Sequence, residues 1–161
     1  MPDSEVSQDP ELASRVCLAL MRVGTRMAVG FDQHFAHFGI TQAQFRLLIA
    51  VWNCGGREGA TPSAVADYLF LERATVSVMI NRLLGEGLLA KLPGENRRSY
   101  KLTLTEKCGT LLRRMGPEAT TLADTTLVAF TQQELHQLEA HLKALEKRLR
   151  QDQEQEASVK S

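Results

Sequence analysis

A chain of 161 residues is long enough to bury a real core and is most simply read as one domain. Hydrophobic residues make up 43% and charged residues 24%, ordinary globular values, and the formal net charge of zero gives by itself no hint of a nucleic-acid partner. No apolar run approaches the roughly 20 residues needed to span a membrane, and the acidic opening MPDSEVSQDPE is the opposite of a signal or transit peptide.

Residues 1–10, polar and acidic with prolines at positions 2 and 10, are expected to be a disordered tail. A long helix is predicted from Glu11 to about Phe38. Val16, Leu20, Val23, Met27, Phe31, Phe35 and Phe38 recur along it at steps of three and four. That stripe is too apolar to stand alone and calls for a core or a second subunit. His34 and His37 lie one turn apart near its end, without the carboxylate or cysteine cluster that a metal site would need, so no metal or cofactor is expected. Gly39 ends the helix. Thr41 and Gln44 have capping-box spacing, and the helix they open runs through Phe45, Leu47, Leu48, Val51 and Trp52, mostly buried, to the stop at Cys54-Gly55-Gly56. The polar connector 57–60 has room for one residue that pairs with a later strand.

The chain is organised around residues 61–105. Thr61 caps a helix with Pro62 at its first position, and Ala64, Val65, Ala66 and Leu69 form its small apolar face, to an end near Phe70. A second helix opens at Glu72-Arg73. It buries Val76, Met79, Ile80 and Leu83, shows Arg73, Ala74, Ser77, Val78, Asn81 and Arg82 on the other side, and closes at Gly87 in a left-handed conformation. Residues 88–92 and 99–104 read as two strands joined by a turn, 93–98, that carries Arg97 and Arg98. Helix, turn, helix and basic hairpin make a winged helix-turn-helix. Charge is polarised to suit it. Residues 73–101 hold six basic side chains against two acidic ones, while the first eleven residues hold four acids and no base.

After the hairpin, Thr105 can cap a helix carrying Leu111, Leu112, Met115, Leu122, Leu127 and Val128, in which Gly116-Pro117 should cause a kink or a break. Thr131-Gln132-Gln133-Glu134 opens the last helix, where Leu135, Leu138, Leu142, Leu145 and Leu149 form a short coiled-coil-like seam. His136 and His141 point to different faces. Residues 151–161 are expected to be a polar, frayed tail. The fold class is therefore mostly α with a small β-wing: one domain over 11–150, the reader at about 41–105, flanked by helices at about 11–38 and 106–150.

Thr61, Ala66 and Leu69, A-T-V-S at 74–77, R-L at 82–83, E-G-L at 86–88, Arg97-Arg98 and Leu104-Thr105-Glu106-Lys107 occur in the order found in the MarR family of bacterial transcription regulators, and the chain resembles that family over roughly residues 12 to 150. The resemblance implies a homodimer built by the terminal helices, bound to double-stranded DNA at a roughly palindromic operator as a repressor in the cytoplasm. It also implies a small-molecule effector, aromatic or phenolic, held between the dimer helices and the reader. His37, Phe38, Phe45, Leu48, Trp52 and Met115 are the candidate lining; each taken alone is ordinary core. On the reading helix Ser77 and Asn81 are placed to hydrogen-bond base edges, with asparagine suited to adenine, and Val78 to touch a thymine methyl. Thr75 falls at the helix start, where it would meet a phosphate. Arg73 and Arg82 would read guanine or hold phosphate, and Arg97 and Arg98 would reach the backbone or the minor groove. The family commonly has an aspartate before the arginine pair. Here Asn96 stands there, and an amide orients a guanidinium only weakly, so a looser wing is expected.

Two alternatives accompany this reading. Winged helices also serve as protein-interaction modules, but those carry apolar or acidic residues where this chain has Arg73, Ser77, Asn81 and Arg82. No phosphate loop, metal cluster or activated nucleophile points to an enzyme. Cysteines 17, 54 and 108 are scattered, as in a reducing compartment. Cys17, in C-L-A-L, resembles the reactive cysteine of the family's organic-hydroperoxide sensors. The tyrosines that hold the thiolate there correspond to Met21, Phe31 and Gln42 here, so Cys17 is expected to be a small buried apolar residue, with the sensor as the alternative.

Overall fold

The computed structural model describes residues 9–159. Six α-helices and one antiparallel hairpin follow in order: α1 Leu12–Phe35, α2 Gln42–Gly55, α3 Pro62–Leu69, α4 Arg73–Gly85, β1 Leu89–Pro93, β2 Tyr100–Leu104, α5 Glu106–Thr126 and α6 Gln132–Val159. The expected tail at 1–10 lies, up to residue 8, outside the described residues. Its last part is held locally: Asp9 accepts from the Glu11 backbone and pairs with Arg15 at 2.7 Å, and that guanidinium keeps the Asp9 carboxyl below its ordinary range. Among the described residues, no helix is long and apolar enough to cross a membrane.

The described residues divide into two compact units, one ending at Pro117 and the other beginning at Glu118. The division falls at Pro117, inside α5. That helix is neither broken nor interrupted there, because proline removes a single backbone donor and the bonds on either side carry the helix across.

In the first unit α1 ends at Phe35 rather than Phe38. A 3-10 turn, Ala36–Phe38, replaces its last residues before Gly39 turns left-handed at φ 71°. Asp32 accepts the Gln42 backbone N–H at 2.6 Å, and the Phe35 ring lies 5.1 Å from that of Phe45, so the end of α1 is fastened to the start of α2. Thr41 and Gln44 form the expected reciprocal capping box. Leu47, Leu48 and Val51 of α2, Val65 and Ala66 of α3, Val76, Ile80 and Leu83 of α4 and Leu102 of β2 close a dry core beneath the reader. Upstream the apolar stripe of α1 has no such cover: Leu12, Val16, Leu20, Val23 and Met27 are all exposed. Cys17 is exposed with them, contrary to the buried residue expected, on a face of α1 that the described residues of its own unit leave uncovered. Trp52, expected on the buried side of α2, is 51% exposed: it lies at the edge of the stripe that buries Leu48 and Val51.

The second unit is the end of α5, a turn at 127–130 and α6. Thr131 and Glu134 cap α6 reciprocally at 2.8 and 3.3 Å, and the Thr131 backbone N–H, first among these contacts, lowers the Glu134 pKa. Contrary to the expected tail, α6 continues to Val159. Gln, Glu and Ala there are good helix formers, and Arg148 pairs with Asp152 one turn on, at 3.0 Å. Leu142, Leu145 and Leu149 remain exposed along it.

Candidate nucleic-acid interface

The reading face depends on how α3 presents α4. Thr61 accepts the Ala64 N–H at 3.2 Å with Pro62 at the first position, and after Leu69 the chain turns sharply because Phe70 adopts a left-handed conformation, φ 55°. Three residues after Phe70, α4 begins at Arg73 with no side chain capping its first turn, which leaves N–H groups there open to an external acceptor. Val76, Ile80 and Leu83 anchor the helix in the core, so its opposite face is forced outward. Arg73, Thr75, Ser77, Val78, Asn81 and Arg82 are all exposed, Val78 at 70%. Beyond Gly85 the helix closes in a Schellman turn: Leu88 N–H reaches the Leu83 carbonyl at 2.9 Å and Gly87 N–H that of Leu84, with Gly87 at φ 70°.

One partner on this face escapes the motif. Arg82 Nε donates to Glu86 Oε1 at 2.9 Å, and Lys107 Nζ donates to the Glu86 backbone carbonyl at 2.6 Å. The i, i+4 spacing of Arg82 and Glu86 was the signal available for the first contact; nothing local announces the second.

The wing pairs Leu89 with Leu104 through Pro93 with Tyr100. Its tip is tied down by Asn96, whose Oδ1 accepts the N–H groups of Arg98 and Ser99 at 3.0 and 2.9 Å, while Ser99 Oγ accepts the Asn96 N–H at 3.0 Å. Asn96, expected to hold the wing only loosely through a guanidinium, here caps the turn through its side-chain oxygen. The amide does not orient a guanidinium; it holds the backbone of the turn, a task for which its oxygen suffices. Gly94 sits against this turn so closely that a Cβ would lie 2.6 Å from the Ser99 carbonyl carbon. Arg97 and Arg98 project from the tip, both exposed. Lys91 lies over the Tyr100 ring at 4.3 Å, adding a cation along the hairpin. As expected for the connector, Ala60 forms a one-residue bridge with Leu102, donating at 2.9 Å and accepting at 2.8 Å.

The six candidate effector residues do not surround one cavity. Leu48 and Met115 are sealed in the core, Trp52 and His37 are exposed, Phe38 lines one cavity and Phe45 another. The cavity at Phe45, about 330 Å³, is walled by Met27, Phe31, Gln42 and Arg46 from α1 and α2. The cavity at Phe38, about 490 Å³, also takes in Glu86, Lys107 and Arg114. Of the other thiols, Cys54 is half-buried with its Sγ 3.7 Å from the Ala64 carbonyl, and Cys108 is fully buried, its pKa pushed up to about 11 by that burial.

Residues 38–99 match the model of the MarR family. The HTH-type transcriptional regulator PecS of Dickeya dadantii is 27% identical over 131 residues, covering 81% of this chain and 79% of its own length. YybA of Bacillus subtilis, also an HTH-type transcriptional regulator, is 30% identical over 124 residues, covering 74% of this chain and 79% of its own. Among solved structures, a Staphylococcus aureus MepR–DNA complex superposes with a TM-score of 0.70 at 20% identity, covering 80% of this chain and 94% of that one. The matched family model and the 30% identity to YybA over 74% of this chain together place it: the chain belongs to the MarR family of transcriptional regulators.

Proposed function

We propose that this regulator acts as a homodimer on double-stranded DNA, repressing from a roughly palindromic operator, with a small-molecule effector setting its affinity. The observation that carries the proposal is the outward face of α4. Arg73, Ser77, Val78, Asn81 and Arg82 are exposed on one helix with an uncapped N-terminus, next in sequence to a hairpin tipped by Arg97 and Arg98. In this reading Ser77 and Asn81 meet base edges, Val78 favours a thymine methyl, and Thr75 with the open N–H groups takes a phosphate. Arg73 and Arg82 hold phosphate or guanine, and the wing arginines reach the backbone or minor groove. MepR, which shares the fold, was solved bound to DNA. The uncovered stripes of α1 and α6 support a dimer, which would set two reading helices into successive major grooves. Selection from random duplexes tests it. Roughly palindromic sites should be enriched, with affinity falling steeply as salt rises; unenriched pools or salt-independent binding would reject it.

A second reading rests on the resemblance of Cys17 to the reactive cysteine of the family's organic-hydroperoxide sensors, with the thiol uncovered by its own unit. An organic hydroperoxide would then abolish operator binding, reversibly with added thiol, in the wild type and not in Cys17→Ser. Unchanged binding after treatment excludes it.

A further inference from the structure

Among the described residues, the side chains of Arg73, Arg97 and Arg98 meet no acid, whereas Arg82 does: its Nε donates to Glu86 Oε1 at 2.9 Å. The pair is anchored from behind. The Glu86 N–H donates to the Arg82 carbonyl at 2.9 Å, Lys107 Nζ donates to the Glu86 carbonyl at 2.6 Å, and the neighbouring Gly87 carbonyl accepts from Thr105 Oγ1 at 2.7 Å. The carboxylate therefore rises from backbone that the start of α5 holds in place, half-buried, while the Arg82 side chain stays exposed. A solvent-facing i, i+4 pair contributes little to stability, so stability is a poor account of it.

What the pair does is divide the guanidinium. With Nε committed to the carboxylate, the donors left over are those of the two terminal nitrogens, which have no acceptor among the described residues. They stand side by side at the end of the side chain and match the O6 and N7 acceptors of a guanine edge. A phosphate fits less well. It would bring a second anion to a cation whose charge Glu86 already balances, and the two anions would repel each other across one guanidinium. A guanine edge carries no net charge and accepts both bonds with Glu86 in place. Arg73, Arg97 and Arg98, which no acid balances, suit phosphate better. We infer, resting on the DNA-binding function proposed above, that Arg82 reads a guanine in the major groove rather than a phosphate, and that Glu86 is the positioning residue that sets this choice by holding Nε.

Duplexes selected from random sequence by the full chain, with single-base variants of them, provide the test, by competition titration over a range of salt. Arg82→Lys keeps the charge and loses the planar fork. It should cost roughly tenfold in preference for one G·C pair in each half-site and leave the salt slope unchanged. Glu86→Gln frees Nε and removes a negative charge. It should lower the preference for that same pair several-fold, yet bind unselected duplex at least as tightly as the wild type and with a steeper salt dependence. Damage to the helix end would instead weaken every duplex. In the Arg82→Lys background, Glu86→Gln should cost no further preference. Uniform weakening of all duplexes by Arg82→Lys, or a selected site in which no G·C preference responds to it, overturns the guanine contact and leaves DNA binding standing. Full preference retained in Glu86→Gln, or additive losses in the double variant, overturns the role of Glu86. Failure of the wild type to select any duplex refutes the DNA-binding function and this contact together.

Discussion

Asn81 and Arg97 are both exposed and polar, yet in the proposed complex they would carry different information. An amide presented from a helix in the major groove can make two hydrogen bonds to one base, whereas a guanidinium at a hairpin tip meets charge that is the same at every sequence. Asn81→Ala should therefore relax preference at one base pair, by about 1–3 kcal/mol for a bidentate contact, and Arg97→Ala should weaken all duplexes alike and lower the salt slope by roughly one. Competition titrations with single-base variants of a selected site separate the two outcomes. If both substitutions act alike, the division of labour between helix and wing is wrong. Cys108 offers a test of the core. Burial raises its pKa from 9.0 to about 11, so the folded chain prefers the neutral thiol. That preference contributes in full below pH 9 and is lost as pH rises towards 11, a fall of roughly 2–3 kcal/mol across the window. Urea midpoints at pH 8 and pH 11 should drop further in the wild type than in Cys108→Ala, which has no thiol to ionise; equal drops would refute it.

At the scale of elements, α6 makes the sharpest claim about assembly. Leu142 and Leu145 are each 40% exposed on the single chain, on a helix whose own charged pairs give it no other reason for an apolar seam. Changing both to Asp should yield monomers with native helical content, because the charges are tolerated in water and not in a buried seam. Sedimentation of an intact dimer would move the interface elsewhere. The wing makes a local claim: Gly94→Val must displace the Ser99 strand end, so it should weaken duplex binding while leaving the melting temperature within a few degrees. An unaltered affinity would mean that the tip need not be held. Elements were legible in the sequence where their causes are local. Thr41 with Gln44, Thr61 with Pro62, Gly87, and Thr131 with Glu134 each announce a boundary that the structure keeps. Burial was legible only in part. Trp52 and Leu48 share the α2 pattern, and which of them is covered depends on α3 and α4. Cys17 lies in a stripe that the described residues of its own unit leave uncovered. The grouping of Phe38, Glu86, Lys107 and Arg114 could not be read at all, because three separate segments bring it together.

For the whole molecule, the exposed apolar stripe of α1 and the exposed leucines of α6 are the surfaces that a second chain would cover in the proposed homodimer. Operator affinity should then depend on total chain concentration, and dilution below the dimer dissociation constant should reduce occupancy more steeply than a single-step isotherm allows. Strictly hyperbolic binding over that range would argue against it.

The bridge between Ala60 and Leu102 also sets a rule for chain length. Strand pairing has a period of two, so one residue added between Gly55 and Ala60 would present the opposite face to Leu102 and turn the methyl of Ala60 away from the core. Gly55 already lies so close to Ala60 that a Cβ there would fall 2.5 Å from its nitrogen, and Gly59 holds φ 81° beneath Lys101, which leaves no slack to absorb the insertion. The tip of the wing, by contrast, ends in solvent and meets only its own backbone. Lengthening should therefore be borne at Glu95-Asn96 and refused at Gly56-Arg57, so that natural variation in size among such chains would accumulate at the hairpin and be purged from the connector.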